Sequence, residues 1–198
     1  HNPAVELCEK LSKHLPSNQA KFFFSGDGSS AVENALKAAF DWKAKKNIIQ
    51  GKTQPKNLVI HLKDCFHGRT GYTMSLTDSP APRKVQYFPK FNWPRVLNPS
   101  IKFPLDETNL EKVIELEQKS LAQIKQVLLD NPDDVACMIL EPIQGEGGDN
   151  HFRPEYFKEI KPKPVPKNDI AYPVKRGDSI IKISNKFGIP KEWILKWN

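Results

Sequence analysis

An α/β fold built on a mainly parallel sheet with flanking helices is what residues 1–160 of this 198-residue chain predict, and three observations carry the prediction. Segments whose apolar residues recur at helical spacing alternate with short apolar runs suited to strands, the order that lays helices onto a parallel sheet. Val135 to Leu140 is continuously apolar, as befits a strand covered on both faces. It empties at once into Glu141-Pro142-Ile143-Gln144-Gly145-Glu146-Gly147-Gly148, an acidic, glycine-rich loop at the carboxyl end of that strand, where open α/β sheets bind their ligands.

The elements follow in order. Ala4, Leu7, Cys8, Leu11 and Leu15 fall on one helical face, and Pro16 closes that helix. Lys21 to Ser25 reads as a short aromatic strand. Ser29 or Ser30 then starts a helix whose buried stripe is Val32, Ala35, Leu36, Ala39 and the stem of Lys43. Asn57 to Leu62 is the second strand, followed by a short helix from Thr70 to Leu76. Residues 78–104 contain six prolines and form a long irregular excursion, which ordinary connections do not need and functional ones sometimes do. Leu110, Val113, Ile114, Glu117, Leu121, Ile124 and Leu128 mark a long helix, and Val135 to Leu140 is the third strand. An antiparallel edge strand stays compatible with this order.

Pattern alone singles out three loops. Gly26-Asp27-Gly28-Ser29-Ser30 lies between a strand and a helix amino terminus, which offers unpaired N–H groups and the positive end of the helix dipole to a phosphate. Simple capping by Ser29 or Ser30 explains the same residues equally well. Phe66-His67-Gly68-Arg69 follows the second strand; by pattern Phe66 is a core residue, Arg69 a surface ion-pair partner and His67 structural, since no second ligand stands at metal spacing. No metal site is expected. In the third loop, three glycines in four positions let the backbone approach a ligand, with the carboxylates of Glu141 and Glu146 beside it; the bland alternative is a solvated turn.

Charge divides the chain near residue 160. Of 30 Lys plus Arg and 23 Asp plus Glu, residues 161–198 hold 9 and 3, a net of +6, and residues 1–160 hold 21 and 20, a net of +1. The excess is spread over a stretch without a nucleic-acid motif, so it reads as a solvated surface and no nucleic-acid partner is expected. No apolar run reaches the roughly 20 residues of a membrane span. Cys8, Cys65 and Cys137 are odd in number and far apart, as reduced packing residues of a cytoplasmic protein are. The chain starts at His1 rather than methionine, which reads as processing, excision or incompleteness.

The wording of these motifs is specific. Ser25-Gly26-Asp27-Gly28-Ser29-Ser30-Ala31-Val32-Glu33-Asn34-Ala35-Leu36-Lys37, Phe66-His67-Gly68-Arg69-Thr70-Gly71-Tyr72, Phe88-Pro89-Lys90-Phe91-Asn92-Trp93-Pro94-Arg95 and the run from Ile139 to Pro154 together resemble the class III aminotransferases that use pyridoxal phosphate. Within them they look most like the lysine 6-aminotransferases of bacteria. The 4-aminobutyrate aminotransferases share the Phe66 and Glu141 phrases, while Phe88 to Arg95 and His151 to Phe157 favour lysine. The resemblance implies part of the large domain of a fold type I enzyme. It implies a cofactor phosphate held at Gly28 and Ser29, Phe66 stacked on the pyridine ring, and Glu141 near the cofactor. It also implies Arg69 on a substrate carboxylate and Glu146 as a gate paired with a distant arginine. The whole enzyme would pass the ε-amino group of lysine to 2-oxoglutarate as a homodimer, a state not carried over to this chain.

After Ile160 the resemblance stops. The segments that would bring the ring-nitrogen aspartate, the lysine that carries the cofactor and the gating arginine have no counterpart in the 198 residues. No catalytic residue is assigned, cofactor binding is expected to be weak, and the chain alone is expected to be inactive. Residues 161–169 alternate proline and lysine, as a semi-rigid linker does. Residues 170–198 resemble a small α+β LysM module lacking its last strand, which implies binding of peptidoglycan or chitin, with Gly177, Asp178 and Ser179 on one side of the glycan groove. Two alternatives stay open: a LysM-type glycan binder carrying a degenerate α/β domain, with a cell-wall location, and a join of two pieces with no common function.

Overall fold

The computed structural model describes residues 2–15 and 21–161. The expected linker beyond Lys161 and the LysM-like module, with Gly177, Asp178 and Ser179, lie outside the described residues.

The first helix, α1 (Pro3–Ser12), is capped by Asn2, whose Oδ1 accepts the Ala4 N–H at 3.1 Å, and has proline in its first turn. It ends short of Leu15, and none of its residues is buried. Lys21 to Ser25 is not a strand, contrary to the expectation. A strand needs a hydrogen-bonded neighbour, and this stretch has none among the described residues. Its Phe23 is 75% exposed.

The second helix, α2 (Gly28–Ile49), starts one residue before Ser29 and two before Ser30, because Asp27 is the cap. Leu36 is buried, with Val32 and Phe40 packed beside it, whereas the expected Ala35 faces out. At the far end the buried Asn47 amide donates to Thr53 O and Asp133 O, both at 2.9 Å, fastening the helix to the turn before the last sheet strand.

Three parallel strands form the sheet: β1 (Leu58–Leu62), β2 (Arg95–Val96) and β3 (Val135–Met138), in the order β2-β1-β3. The proline-rich excursion thus contains a strand that its composition hid. Only two residues pair, with Pro94 O accepting from His61 N–H at 3.1 Å and Val96 O from Lys63 N–H at 2.9 Å. The third strand stops two residues before Leu140.

Alternation along β1 sends Val59 to one face and Ile60 and Leu62 to the other. Val59 meets Leu36 of α2 and Leu76 of the short helix α3 (Gly71–Leu76). Ile60 and Leu62 meet Val96, Phe152 and Tyr156, with Leu121, Ile124 and Val127 of α4 (Glu107–Asp130) over them. Leu128, expected in that stripe, is exposed, and Val127 takes its place. Tyr156 belongs to α5 (Pro154–Ile160) and shares a 2.8 Å hydroxyl contact with Ser120 of α4. Helices therefore cover both faces of a parallel sheet. A small antiparallel hairpin, β4 (Ile143–Gln144) with β5 (Asn150–His151), holds the glycine loop.

Candidate functional site

Three loops converge at the carboxyl ends of β1 and β3. The first is the start of α2. Asp27 accepts the Ser30 N–H at 2.9 Å and the Ser30 hydroxyl at 2.7 Å, and those bonds hold its carboxyl below the ordinary range. Gly28 is the first helical residue, and the space where a Cβ would stand is open. Ser29 follows, half-buried.

The second loop follows β1. Gly68 has φ +121°, a conformation L side chains avoid, and a Cβ there would lie 2.2 Å from the Ser29 hydroxyl. Glycine is what lets this loop close on α2. Thr77 Oγ1 donates to Gly68 O at 2.7 Å and accepts the His67 N–H at 3.0 Å, fixing the turn from below. Glu33 of α2 reaches over to accept from the Thr70 hydroxyl at 2.5 Å and the Tyr72 N–H at 3.2 Å, so α2 and α3 are locked together around it. Phe66 is half-buried and Arg69 exposed, with the guanidinium carbon 5.8 Å from the Phe66 ring centroid.

The third loop packs on the second. The Phe66 N–H donates to Glu141 Oε2 at 2.9 Å; burial raises the Glu141 carboxyl, and that hydrogen bond partly offsets the rise. A Cβ on Gly147 would lie 1.9 Å from Asp64 O, so the glycine loop rests directly on the loop after β1. Gln144, fully buried, ties the two from beneath: its amide nitrogen donates to Lys63 O at 3.0 Å, and its Oε1 accepts from Asn98 at 2.7 Å and Asn150 at 3.0 Å. Glu146 pairs with Lys84 at 2.6 Å. The Lys84 bond and charge hold its carboxyl below the ordinary range, and Arg69 contributes in the same sense.

Under these loops lie His61, Cys65 and His67. Burial pushes the Cys65 thiol up to about 12 and both imidazoles down to about 4, so all three are neutral near pH 7. The thiol donates to Leu76 O at 3.0 Å and serves packing. His67 Nε2 is buried without a hydrogen-bond partner.

The six residues singled out in the amino-terminal part of the sequence, Gly28, Ser29, Phe66, Arg69, Glu141 and Glu146, thus stand on loops that touch one another. Glu146, expected to lack its distant arginine, has Lys84 as a partner. Sequence reasoning missed Asp27, Lys84 and Gln144. Asp27 carried a signal, since aspartate before a glycine-serine helix start is a good cap; Lys84 lay in a stretch without periodicity.

The donor set suits a phosphoryl group. The amino terminus of a helix of 22 residues, open space before Gly28 and a serine hydroxyl beside it are favourable, and the Asp27 carboxylate at the same turn weakens the hold. Among the described residues no group of three His, Cys, Asp or Glu side chains is placed to hold a metal ion. No helix among them is long and apolar enough to cross a membrane.

Comparison with known proteins gives the family. Residues 1–164 match the family model "Aminotransferase class-III", and residues 172–198 match the LysM domain model. The L-lysine-epsilon aminotransferase of Mycobacterium tuberculosis (strain ATCC 25618 / H37Rv) is 47% identical over 140 residues, which are 70% of this chain and 30% of that enzyme. A solved lysine aminotransferase structure from M. tuberculosis superposes with TM-score 0.65 at 47% identity over 70% of this chain and 31% of that one. The 4-aminobutyrate aminotransferase of Schizosaccharomyces pombe is more distant, 29% identical over 205 residues, 96% of this chain and 43% of the other. The chain spans about a third of the length of the lysine aminotransferases it matches.

Proposed function

The chain belongs to the class III aminotransferases, and from that premise we propose that residues 1–160 form one wall of the pyridoxal phosphate site of a lysine 6-aminotransferase. In the whole enzyme the ε-amino group of L-lysine would pass to 2-oxoglutarate. One observation carries the reading: the Phe66 N–H bonded to Glu141, with Gly68 closed on Ser29, draws three loops into one face at the carboxyl end of the sheet. Gly28 and Ser29 would hold the phosphate by amides and a hydroxyl. Phe66 would stack on the ring, and Glu141 would lie near it. Arg69 would hold a substrate carboxylate with its planar fork of donors, and Glu146 would set the charge next to it. When bound, the cofactor supplies a pyridine ring that draws electrons from the carbon bearing the amine.

The 198-residue chain by itself would hold the cofactor weakly. A helix dipole contributes about 0.3–1 kcal/mol and ring stacking about 0.5–1.5 kcal/mol, while even ~1 mM affinity requires about 4 kcal/mol. Pyridoxal phosphate titrated into the labelled chain should shift the amide signals of Gly28, Ser29 and Phe66 without saturating below the millimolar range, and should give no turnover of lysine. A borohydride-trappable adduct mapped to one lysine, or saturation at micromolar cofactor, would sink the inactive-wall reading.

A second reading concerns the tail. The LysM match favours binding of peptidoglycan or chitin through residues 172–198, with Gly177, Asp178 and Ser179 at the glycan. Such binding would add a cell-wall location to the cytoplasmic one that suits the aminotransferase part. Retention of the chain on insoluble peptidoglycan, lost when residues 161–198 are removed, is the expected result. Equal retention of both forms refutes it.

A further inference from the structure

Lys84 lies on a short 3-10 turn, Pro82–Lys84, inside the proline-rich excursion. That turn is fixed by bonds from Lys84 N–H to Ala81 O at 3.0 Å and from Val85 N–H to Pro82 O at 2.9 Å, and by burial of the Val85 side chain. Glu146 is fixed from its own side by Gln144 and by Gly147 resting on Asp64. The 2.6 Å ion pair therefore spans two anchored segments.

Arg69 is the neighbouring cation, lying over Phe66 with its guanidinium carbon 5.8 Å from the ring centroid. Its charge already acts on the Glu146 carboxyl. Lys84, Arg69 and Glu146 together carry a net +1. Take Lys84 away and the sum is zero, and the Glu146 carboxylate is left with the Ser79 hydroxyl and the charge of the one remaining guanidinium, Arg69. A half-exposed ion pair does little for stability. Its consequence here is where the Glu146 carboxylate is kept.

We propose that Lys84 is a positioning residue for carboxylate binding: it holds Glu146 aside, so that the Arg69 guanidinium stays available to the carboxylate of an amino or 2-oxo acid. The proposal rests on the reading of Arg69 as the carboxylate-holding residue.

The test uses the full 198-residue chain, isotopically labelled and titrated with glutarate at constant ionic strength, with the Arg69 side-chain Nε–H signal as the readout. Lys84→Met should weaken glutarate binding by about threefold, within the range an exposed ion pair supports, and Lys84→Arg should restore it. Glu146→Gln should bind at least as well as the parent. In the Glu146→Gln background, Lys84→Met should have no further effect, because nothing is left to be held aside.

An equal loss in both backgrounds means that Lys84 binds the anion directly and overturns the proposal, as does a Lys84→Met chain that binds like the parent. Arg69→Gln separates the two levels. If it leaves backbone amide shifts on glutarate addition unchanged, the reading of Arg69 itself falls, and the proposal with it. Lys84 is exposed on a turn held by backbone bonds, and the amide spectrum of each variant reports directly that the fold persists.

Discussion

Asp27 occupies the turn that a phosphate would use. Its carboxylate takes the Ser30 N–H and hydroxyl, so the helix start is already served by an anion of its own. Serine at this position would keep a cap while removing the charge. Asp27→Ser should therefore bind pyridoxal phosphate or inorganic phosphate about two- to fivefold more tightly, the scale of a charge at a helix terminus. Unchanged affinity in an amide-shift titration would show that phosphate does not use this turn. Burial of His61 and His67 gives a second expectation, with a definite sign. Both are pushed down to about 4 in the folded chain, against about 6.5 unfolded. Between those values the unfolded chain binds more protons, so the stability they contribute is complete above about pH 6.5 and is lost as pH falls toward 4. Glu141, raised by burial, works in the opposite sense at the acid end. Comparing His67→Gln with the parent isolates the histidine: the variant's urea midpoint should fall less between pH 7 and 5. Parallel losses in the two would show that His67 takes up no excess proton on unfolding.

The hairpin that carries Glu146 shows what an element demands of its glycines. Gly145 and Gly147 are two residues apart, yet a Cβ at Gly145 meets open space and one at Gly147 would lie 1.9 Å from Asp64 O. Gly147→Ala should cost about 1–3 kcal/mol by overpacking against backbone, while Gly145→Ala should stay within about 0.5 kcal/mol. Equal denaturation midpoints for the two variants would show that the loop does not rest on Asp64 as described. The amino acids alone announced these glycines as a set and could not rank them, because the ranking depends on a carbonyl some 80 positions earlier. The same distinction runs through the fold. The helices α2 and α4 were legible because a 3.6-residue period repeats over six turns or more, and small errors such as Ala35 for Phe40 or Leu128 for Val127 are matters of which neighbour arrives. The strand Arg95–Val96 and the hairpin were not legible, since two-residue strands have no period and exist only through partners far away in sequence. For the site, the residue types in the loops were readable locally. Lys84 was not, because its meaning comes from Glu146 across 62 positions.

At the scale of the molecule, the sheet of three parallel strands keeps two outer edges, along β2 and β3, that pair with nothing among the described residues. Parallel sheets ordinarily have both faces and their edges covered. Large apolar side chains add to the uncovered surface: Tyr87 is 85% exposed, Phe23 75% and Phe103 71%. The net charge of +7 opposes association, but residues 1–160, which contain the sheet, account for only +1 of it. Apolar attraction and backbone pairing should therefore win over charge repulsion. Sedimentation velocity should show self-association rising through the micromolar range, and about 1 M NaCl, which shortens the Debye length to roughly 3 Å, should strengthen it. Salt that dissolved the assemblies would assign them to charge instead, with the basic tail of one chain meeting acidic surface on another. A chain that stayed monomeric up to ~1 mM at both salt concentrations would mean that the edges of β2 and β3 are covered in solution, and the basis for expecting association would be gone.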